Sequence, residues 1–143
     1  MAIESVAVDL DGTVTPFALY NPKIKFPWYF FLFYLPIISI AQPNKAVIRY
    51  LRNIIEQEGK VLIVTGRPIQ TAKLTKILLI FYRVPFTELF CVGNGRETNE
   101  RKLDVIRKNG AKLIIDNDTE AVKFFRKNAI NAVSIAELLT PSK

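Results

Sequence analysis

The chain has 143 residues, of which 50% are hydrophobic and 23% charged, so its composition fits one folded domain and excludes a wholly disordered chain. The absence of histidine excludes Ser-His-Asp catalysis and imidazole-based zinc sites, and the single cysteine, Cys91, excludes an intrachain disulfide. Twenty basic residues against thirteen acidic ones leave a net charge of +7, which favours anionic partners.

Short apolar segments alternate with helical patterns along the chain, which is typical of an α/β protein with a parallel sheet. The predicted strands are residues 3–9, 60–65, 89–92, 112–116 and 132–134. Five helices are predicted between and after these strands. The first is capped by Asn44 and ends at Gly59, and the second begins near Pro68. The third and fourth contain the apolar residues Leu103 and Val122, and the last begins with a capping box of Ser134 and Glu137. We expect residues 1–143 to form a single domain in which residues 17–42 are an insert.

Polar residues follow the first strand as Asp9-Leu10-Asp11-Gly12-Thr13. Ligands of parallel sheets bind outside the carboxyl ends of the strands, so both carboxylates are expected at a site there. Gly12 allows the chain to turn at this point. An Asx-type turn that only closes the strand is the alternative interpretation.

Two further strands also end in polar groups. The second ends in Thr65-Gly66-Arg67, which offers a hydroxyl, a backbone N–H and a guanidinium to phosphate oxygens. The fourth ends in Asp116-Asn117-Asp118, whose acids suit a hard cation. Taken singly, Thr65-Gly66-Arg67 could be an ordinary turn before Pro68, and the 116–118 segment could supply only an N-cap aspartate. For these interpretations to hold, three strands would have to end in such polar residues by coincidence.

The segments VAVDLDGTVT, VLIVTG and LIIDND resemble the first, second and fourth motifs of the haloacid dehalogenase-like superfamily, whose members are mostly phosphatases. The resemblance covers nearly the whole chain outside the insert. It implies a Rossmann-like three-layer sandwich with a central parallel five-stranded sheet in the order 5-4-1-2-3, in which the strand carrying Asp9 lies in the middle.

The resemblance also implies residue roles. Asp9 would attack phosphorus and become an aspartyl-phosphate, while Asp11 would protonate the leaving oxygen. An acid at position 11 favours phosphate-ester cleavage over dehalogenation, which needs no proton donor there. The implied catalytic residues are Asp9, Asp11, Thr65 and Lys102. The implied phosphate ligands are Gly12, Thr13, Thr65, Gly66, Arg67 and Lys102, and the implied Mg²⁺ ligands are Asp9, Asp11, Asp116, Asn117 and Asp118.

Two of these positions leave alternatives open. Lys102, fourteen residues before Asp116, is the best candidate for the third motif, with Arg101 or Lys112 as substitutes. Asn117 stands where the family usually carries an acid, and an amide oxygen binds Mg²⁺ less strongly than a carboxylate. Either Asp116 or Asp118 then takes over, or the site holds metal poorly.

The insert contains FPWYFFLFYLPIISI, which is too apolar to stand in water uncovered. Three coverings remain open: packing on the core as a small cap, a homo-oligomer interface through residues 26–41, or contact with a membrane surface. Pro27, Pro36 and Pro43 argue against a membrane-spanning helix. The scattered basic residues, without stacking aromatics between them, argue against direct nucleic-acid binding.

The sequence therefore predicts a Mg²⁺-dependent phosphomonoester hydrolase that acts on a phosphorylated small molecule. Its single cysteine fits a reducing compartment, so we expect a cytoplasmic protein, with peripheral membrane contact as an option. The alternative is a catalytically weak binding or scaffold protein, because of Asn117 and the aromatic insert.

Overall fold

A parallel sheet with β1 at its centre organises the described part of the chain. The computed structural model describes residues 4–10, 13–14 and 44–140, so the predicted insert lies outside the described residues. The strands are β1 (Ser5–Val8), β2 (Lys60–Thr65), β3 (Glu88–Cys91), β4 (Leu113–Ile115) and β5 (Asn131–Val133). Their order, β3-β2-β1-β4-β5, is the predicted order counted from the opposite edge.

Helices connect the strands. They are α1 (Lys45–Glu56), α2 (Ala72–Phe81), α3 (Thr98–Lys108), α4 (Thr119–Lys127) and α5 (Ile135–Leu139). The Asn44 side chain caps α1 by accepting hydrogen bonds from the N–H groups of Ala46 and Val47, and Ser134 and Glu137 form the predicted capping box of α5. In the described residues, no helix is both long and apolar enough to cross a membrane.

The sheet is covered on both faces, which gives three layers. Val6 and Val8 of β1 pack with α1 and α2, whereas Ala7 between them packs with α3 and α4. Successive strand side chains point to opposite faces, so a strand covered on both sides needs an uninterrupted apolar segment. The predicted α/β, Rossmann-like three-layer fold is therefore confirmed.

The helix predicted from Pro68 begins differently from the expectation. The Thr71 N–H and hydroxyl both donate to the Pro68 carbonyl, at 3.0 and 2.7 Å. This i→i+3 bonding makes residues Ile69–Thr71 a 3₁₀ turn, and α2 starts only at Ala72.

The end of α1 also differs in its detail. The left-handed residue after the helix is Glu58, with φ of 64°, one residue before the glycine at which the helix was predicted to end. Gly59 is needed for space, because a Cβ there would lie 2.6 Å from Ile54 Cγ2 and 2.7 Å from the Glu4 carbonyl oxygen. The close approach of residue 59 to both α1 and the residue before β1 therefore explains this glycine.

Substitutions at these adjacent positions are expected to act in opposite directions. Glu58→Gly should raise the free energy of unfolding by about 1 kcal/mol because it relieves the left-handed backbone of a residue with a Cβ. Gly59→Ala should lower it by about 1–3 kcal/mol because the new methyl group meets backbone oxygen. Urea unfolding of both variants measures the two changes; a loss of stability in Glu58→Gly would contradict the assigned conformation.

Candidate functional site

Asp9 and Asp116 come together because β1 and β4 are neighbours in the sheet. Val8 pairs with Ile115 at the carboxyl ends of these strands, and the Asp9 N–H donates to the Ile115 carbonyl at 2.9 Å. The two aspartates therefore leave the sheet side by side, although more than a hundred residues separate them. Both are buried.

The ammonium group of Lys102 joins the two carboxylates. Its Nζ lies 2.8 Å from Asp9 Oδ1 and 3.3 Å from Asp116 Oδ2, and the side chains of Lys102, Asp9 and Asp116 are only 7%, 11% and 2% exposed. Buried ions are costly to desolvate, and loss of one partner leaves an uncompensated charge. The three side chains therefore depend on one another; we call them the Asp-Lys-Asp cluster.

Lys102 is delivered to this cluster by α3, where it shares the buried face with Leu103 and Ile106. Arg101 and Lys112, the two alternatives to Lys102 in the sequence, lie elsewhere. Arg101 donates to the carbonyl groups of the segment that follows β3. Lys112 is exposed just before β4, at the amino ends of the strands and away from the Asp-Lys-Asp cluster.

Thr13 connects the segment after β1 with the segment after β4. Its hydroxyl lies 3.4 Å from Asp9 Oδ2, to which it donates, and it accepts a hydrogen bond from the Asn117 N–H at 3.1 Å. The sequence predicted Thr13 as a phosphate ligand. The contacts give it a position beside the Asp9 carboxylate, where it also fixes the turn that carries Asp116.

The three side chains of the 116–118 turn point in different directions. Asp116 faces Lys102 with one oxygen and accepts from the Asp118 N–H with the other, at 2.9 Å. Asn117 Oδ1 accepts from the Ile135 N–H at the start of α5, and Asp118 caps α4 by accepting from the Glu120 N–H. Of the predicted Mg²⁺ ligands in this turn, the structure brings Asp116 to Asp9 and engages the other two side chains at helix ends.

Thr65 ends β2, the strand on the other side of β1. The side chain is fully buried, and its hydroxyl accepts from the Arg67 N–H at 3.2 Å, which closes the turn around Gly66. The Arg67 guanidinium is also buried and donates to the Thr75 hydroxyl of α2 at 3.3 Å. Arg67 was predicted to bind phosphate; the contact with Thr75 also makes it an anchor for α2.

The segment that follows β3 also borders the site, although none of its residues was predicted there. Arg101 binds three successive carbonyl groups there, those of Val92, Gly93 and Asn94, and the Gly93 N–H donates to the Arg67 carbonyl at 3.1 Å. Asn94 is buried, and its Nδ2 has no hydrogen-bond partner among the described residues. The glycines at 93 and 95, both with positive φ, were the available signal for this loop.

The donor set is compatible with a hard divalent cation but incomplete within the described residues. No group of three or more carboxylate, histidine or cysteine side chains clusters in residues 4–10, 13–14 and 44–140. Asp9 and Asp116 are two oxygen donors that share one ammonium, and carboxylate oxygens are what Mg²⁺ prefers. Asp11 and Gly12, which the sequence also assigned to the site, lie outside the described residues.

Comparison with known proteins identifies the fold. No protein-family model matches the sequence, and no curated protein matches it. One similar solved structure is a chain of the Pnkp1/Rnl/Hen1 RNA repair complex, with a TM-score of 0.69 and 19% identity over 92% of this chain. The present chain spans 42% of that chain, less than half of its length.

Two Streptococcus pneumoniae proteins match over more of their own length. A hydrolase from strain TIGR4 has a TM-score of 0.60 and 16% identity, over 96% of this chain and 97% of that one. A haloacid dehalogenase-like family hydrolase has a TM-score of 0.57 and 14% identity, over 92% and 84%. Together with the sheet order and the central position of β1, these similarities show that the chain has the fold of the haloacid dehalogenase-like superfamily.

Proposed function

We propose that this protein is a phosphomonoester hydrolase that uses Asp9 as its nucleophile and Mg²⁺ as its cofactor. The observation that carries the proposal is the buried Asp-Lys-Asp cluster at the carboxyl ends of β1 and β4. A structural ion pair would need only one carboxylate. Two carboxylates held around one ammonium, next to the Thr65 turn, fit a site for an anion and a cation together.

Asp9 is suited to the attack by its fixed orientation. Lys102 holds one carboxylate oxygen at 2.8 Å, and the Thr13 hydroxyl lies beside the other. In the proposed reaction an Asp9 oxygen forms a bond to phosphorus while the bond to the ester oxygen breaks, and the leaving oxygen takes a proton from Asp11. Water then attacks the aspartyl-phosphate and gives a proton to Asp11, the bond between phosphorus and the Asp9 oxygen breaks, and inorganic phosphate leaves with both carboxyl groups restored.

Lys102 and Thr65 supply the polar groups for the phosphoryl oxygens. The ammonium of Lys102 reduces the repulsion between the Asp9 carboxylate and an incoming phosphate, and the Thr65 turn offers a hydroxyl and the Gly66 N–H from the neighbouring strand. Both groups are held by rigid elements, α3 and β2, so little reorganisation is needed when charge moves in the transition state.

Asp9 and Asp116 are the described residues that would hold Mg²⁺. The ion, when bound, would supply positive charge against the phosphate oxygens. Asp116 is fixed for this task by the Asp118 N–H on its second oxygen, while Asn117 and Asp118 stabilise the starts of α5 and α4. The oxygen of the Asn117 amide is thus engaged by the Ile135 N–H.

We propose a phosphorylated small molecule as the substrate. A screen of sugar phosphates, nucleotides and lipid phosphates would identify its class. The similarity to a chain of an RNA repair complex is a reason to include a phosphorylated oligonucleotide end in that screen.

The nucleophile is tested with p-nitrophenyl phosphate. Wild type should hydrolyse it in Mg²⁺, lose activity in EDTA and regain it when Mg²⁺ is added in excess. Asp9→Asn should reduce the rate by about a thousandfold or more because an amide does not attack phosphorus. Equal rates for wild type and Asp9→Asn would remove Asp9 from the reaction, and binding of a phosphate ester without turnover would favour the binding-protein alternative.

Replacing each aspartate of the 116–118 turn by asparagine tests which of the two binds Mg²⁺. Asp116→Asn should lower activity at least about tenfold and raise the Mg²⁺ concentration needed for half-maximal rate, because a charged oxygen donor beside Lys102 is lost. Asp118→Asn should keep both activity and stability, since asparagine caps a helix as well as aspartate.

The measurements are rates across a Mg²⁺ titration and thermal melting of both variants. Loss of activity in Asp118→Asn with full activity in Asp116→Asn would show that the assignment within the turn is reversed.

A further inference from the structure

The outward side of α2 is apolar. Ile77 and Ile80 are each 62% exposed and Phe81 is 71% exposed, and Ile69 in the preceding 3₁₀ turn is 71% exposed. Leu74 is exposed as well. We call these five residues the α2 patch. Exposed apolar side chains that occur singly need no explanation, but a contiguous group on one element marks a binding surface.

The α2 patch is separate from the side of α2 that packs on the sheet. Thr75, Leu78 and Leu79 are buried, and Thr75 accepts a hydrogen bond from Arg67, so the inner side of the helix is fixed. At about 100° per residue, the α2 members of the patch fall within roughly 120° of one another on the opposite side. The patch is therefore available to a partner without unpacking α2.

The charged residues of α2 and of the segments directly before and after it are all basic. Lys73 and Lys76 are exposed on α2, and Arg83 is exposed just after it. The sequence from Gly59 to Thr87 contains no aspartate or glutamate. An apolar face with basic residues beside it is the composition of helices that lie in the surface of an anionic bilayer, where lysine stems reach along apolar groups to the lipid headgroups.

We propose that the α2 patch binds the surface of an anionic lipid bilayer, with Lys73, Lys76 and Arg83 facing the headgroups. Ile69 follows the Thr65–Arg67 turn by two residues, so this end of the α2 patch lies nearest to the candidate site. A second copy of the chain fits the same face less well, because a two-fold interface would bring identical lysines towards each other. The proposal does not depend on the hydrolase reaction.

Co-sedimentation with phosphatidylcholine vesicles, with and without phosphatidylglycerol, tests the proposal. Wild type should bind the vesicles that contain phosphatidylglycerol, and added salt should weaken binding. Ile77→Ser/Phe81→Ser should reduce the bound fraction at limiting lipid about tenfold or more, and Lys73→Gln/Lys76→Gln about tenfold. Leu139→Ser, which changes an exposed leucine on α5, is the matched control and should bind like wild type.

All of these side chains are exposed, so the variants should melt at nearly the wild-type temperature. Failure of wild type to bind anionic vesicles would overturn the proposal, as would equal binding by wild type and Ile77→Ser/Phe81→Ser. A wild-type dimer in sedimentation velocity that Ile77→Ser/Phe81→Ser converts to monomer, without vesicle binding, would assign the patch to a second copy.

Discussion

The ammonium of Lys102, held between two buried carboxylates, is the interaction on which the candidate site depends. Asp9 and Asp116 would repel each other at the ends of adjacent strands if no cation lay between them. Because the cluster is almost closed to water, this repulsion is weakly screened. The position of α3 is therefore tied to the ends of β1 and β4 by charge as well as by the packing of Leu103 and Ile106.

The parallel register explains why the cluster forms at this edge. Parallel strands end on the same side of the sheet, and β1 lies between β2 and β4, so groups that follow all three strands meet around the end of the central one. Thr13 adds a direct connection between the segments after β1 and β4. The apolar strands supply rigidity, and the polar residues just beyond them supply the chemistry.

The polar side chains of the 116–118 turn that do not join the Asp-Lys-Asp cluster bind the starts of helices. Asn117 and Asp118 satisfy N–H groups at the starts of α5 and α4, which would otherwise be left without acceptors. A short Asp-Asn-Asp turn thus serves three elements at once, with one side chain for each. One residue after β2 likewise makes two contacts: the Arg67 N–H closes the Thr65 turn, and the Arg67 guanidinium binds Thr75 of α2.

The amino-acid sequence by itself determined the strands, their alternation with helices and the residues that follow their carboxyl ends, because uninterrupted apolar segments and turn residues are local signals. The order of the strands in the sheet followed only from the resemblance to a known family. It also determined the caps at Asn44 and Ser134, whose partners lie within three residues. Tertiary structure decided the directions of side chains: which acid of the 116–118 turn meets Lys102, and that Arg67 reaches Thr75. It also decided which side of α2 is exposed, because AKLTKILLIF is apolar around most of the helix and has no single periodic face from which to choose.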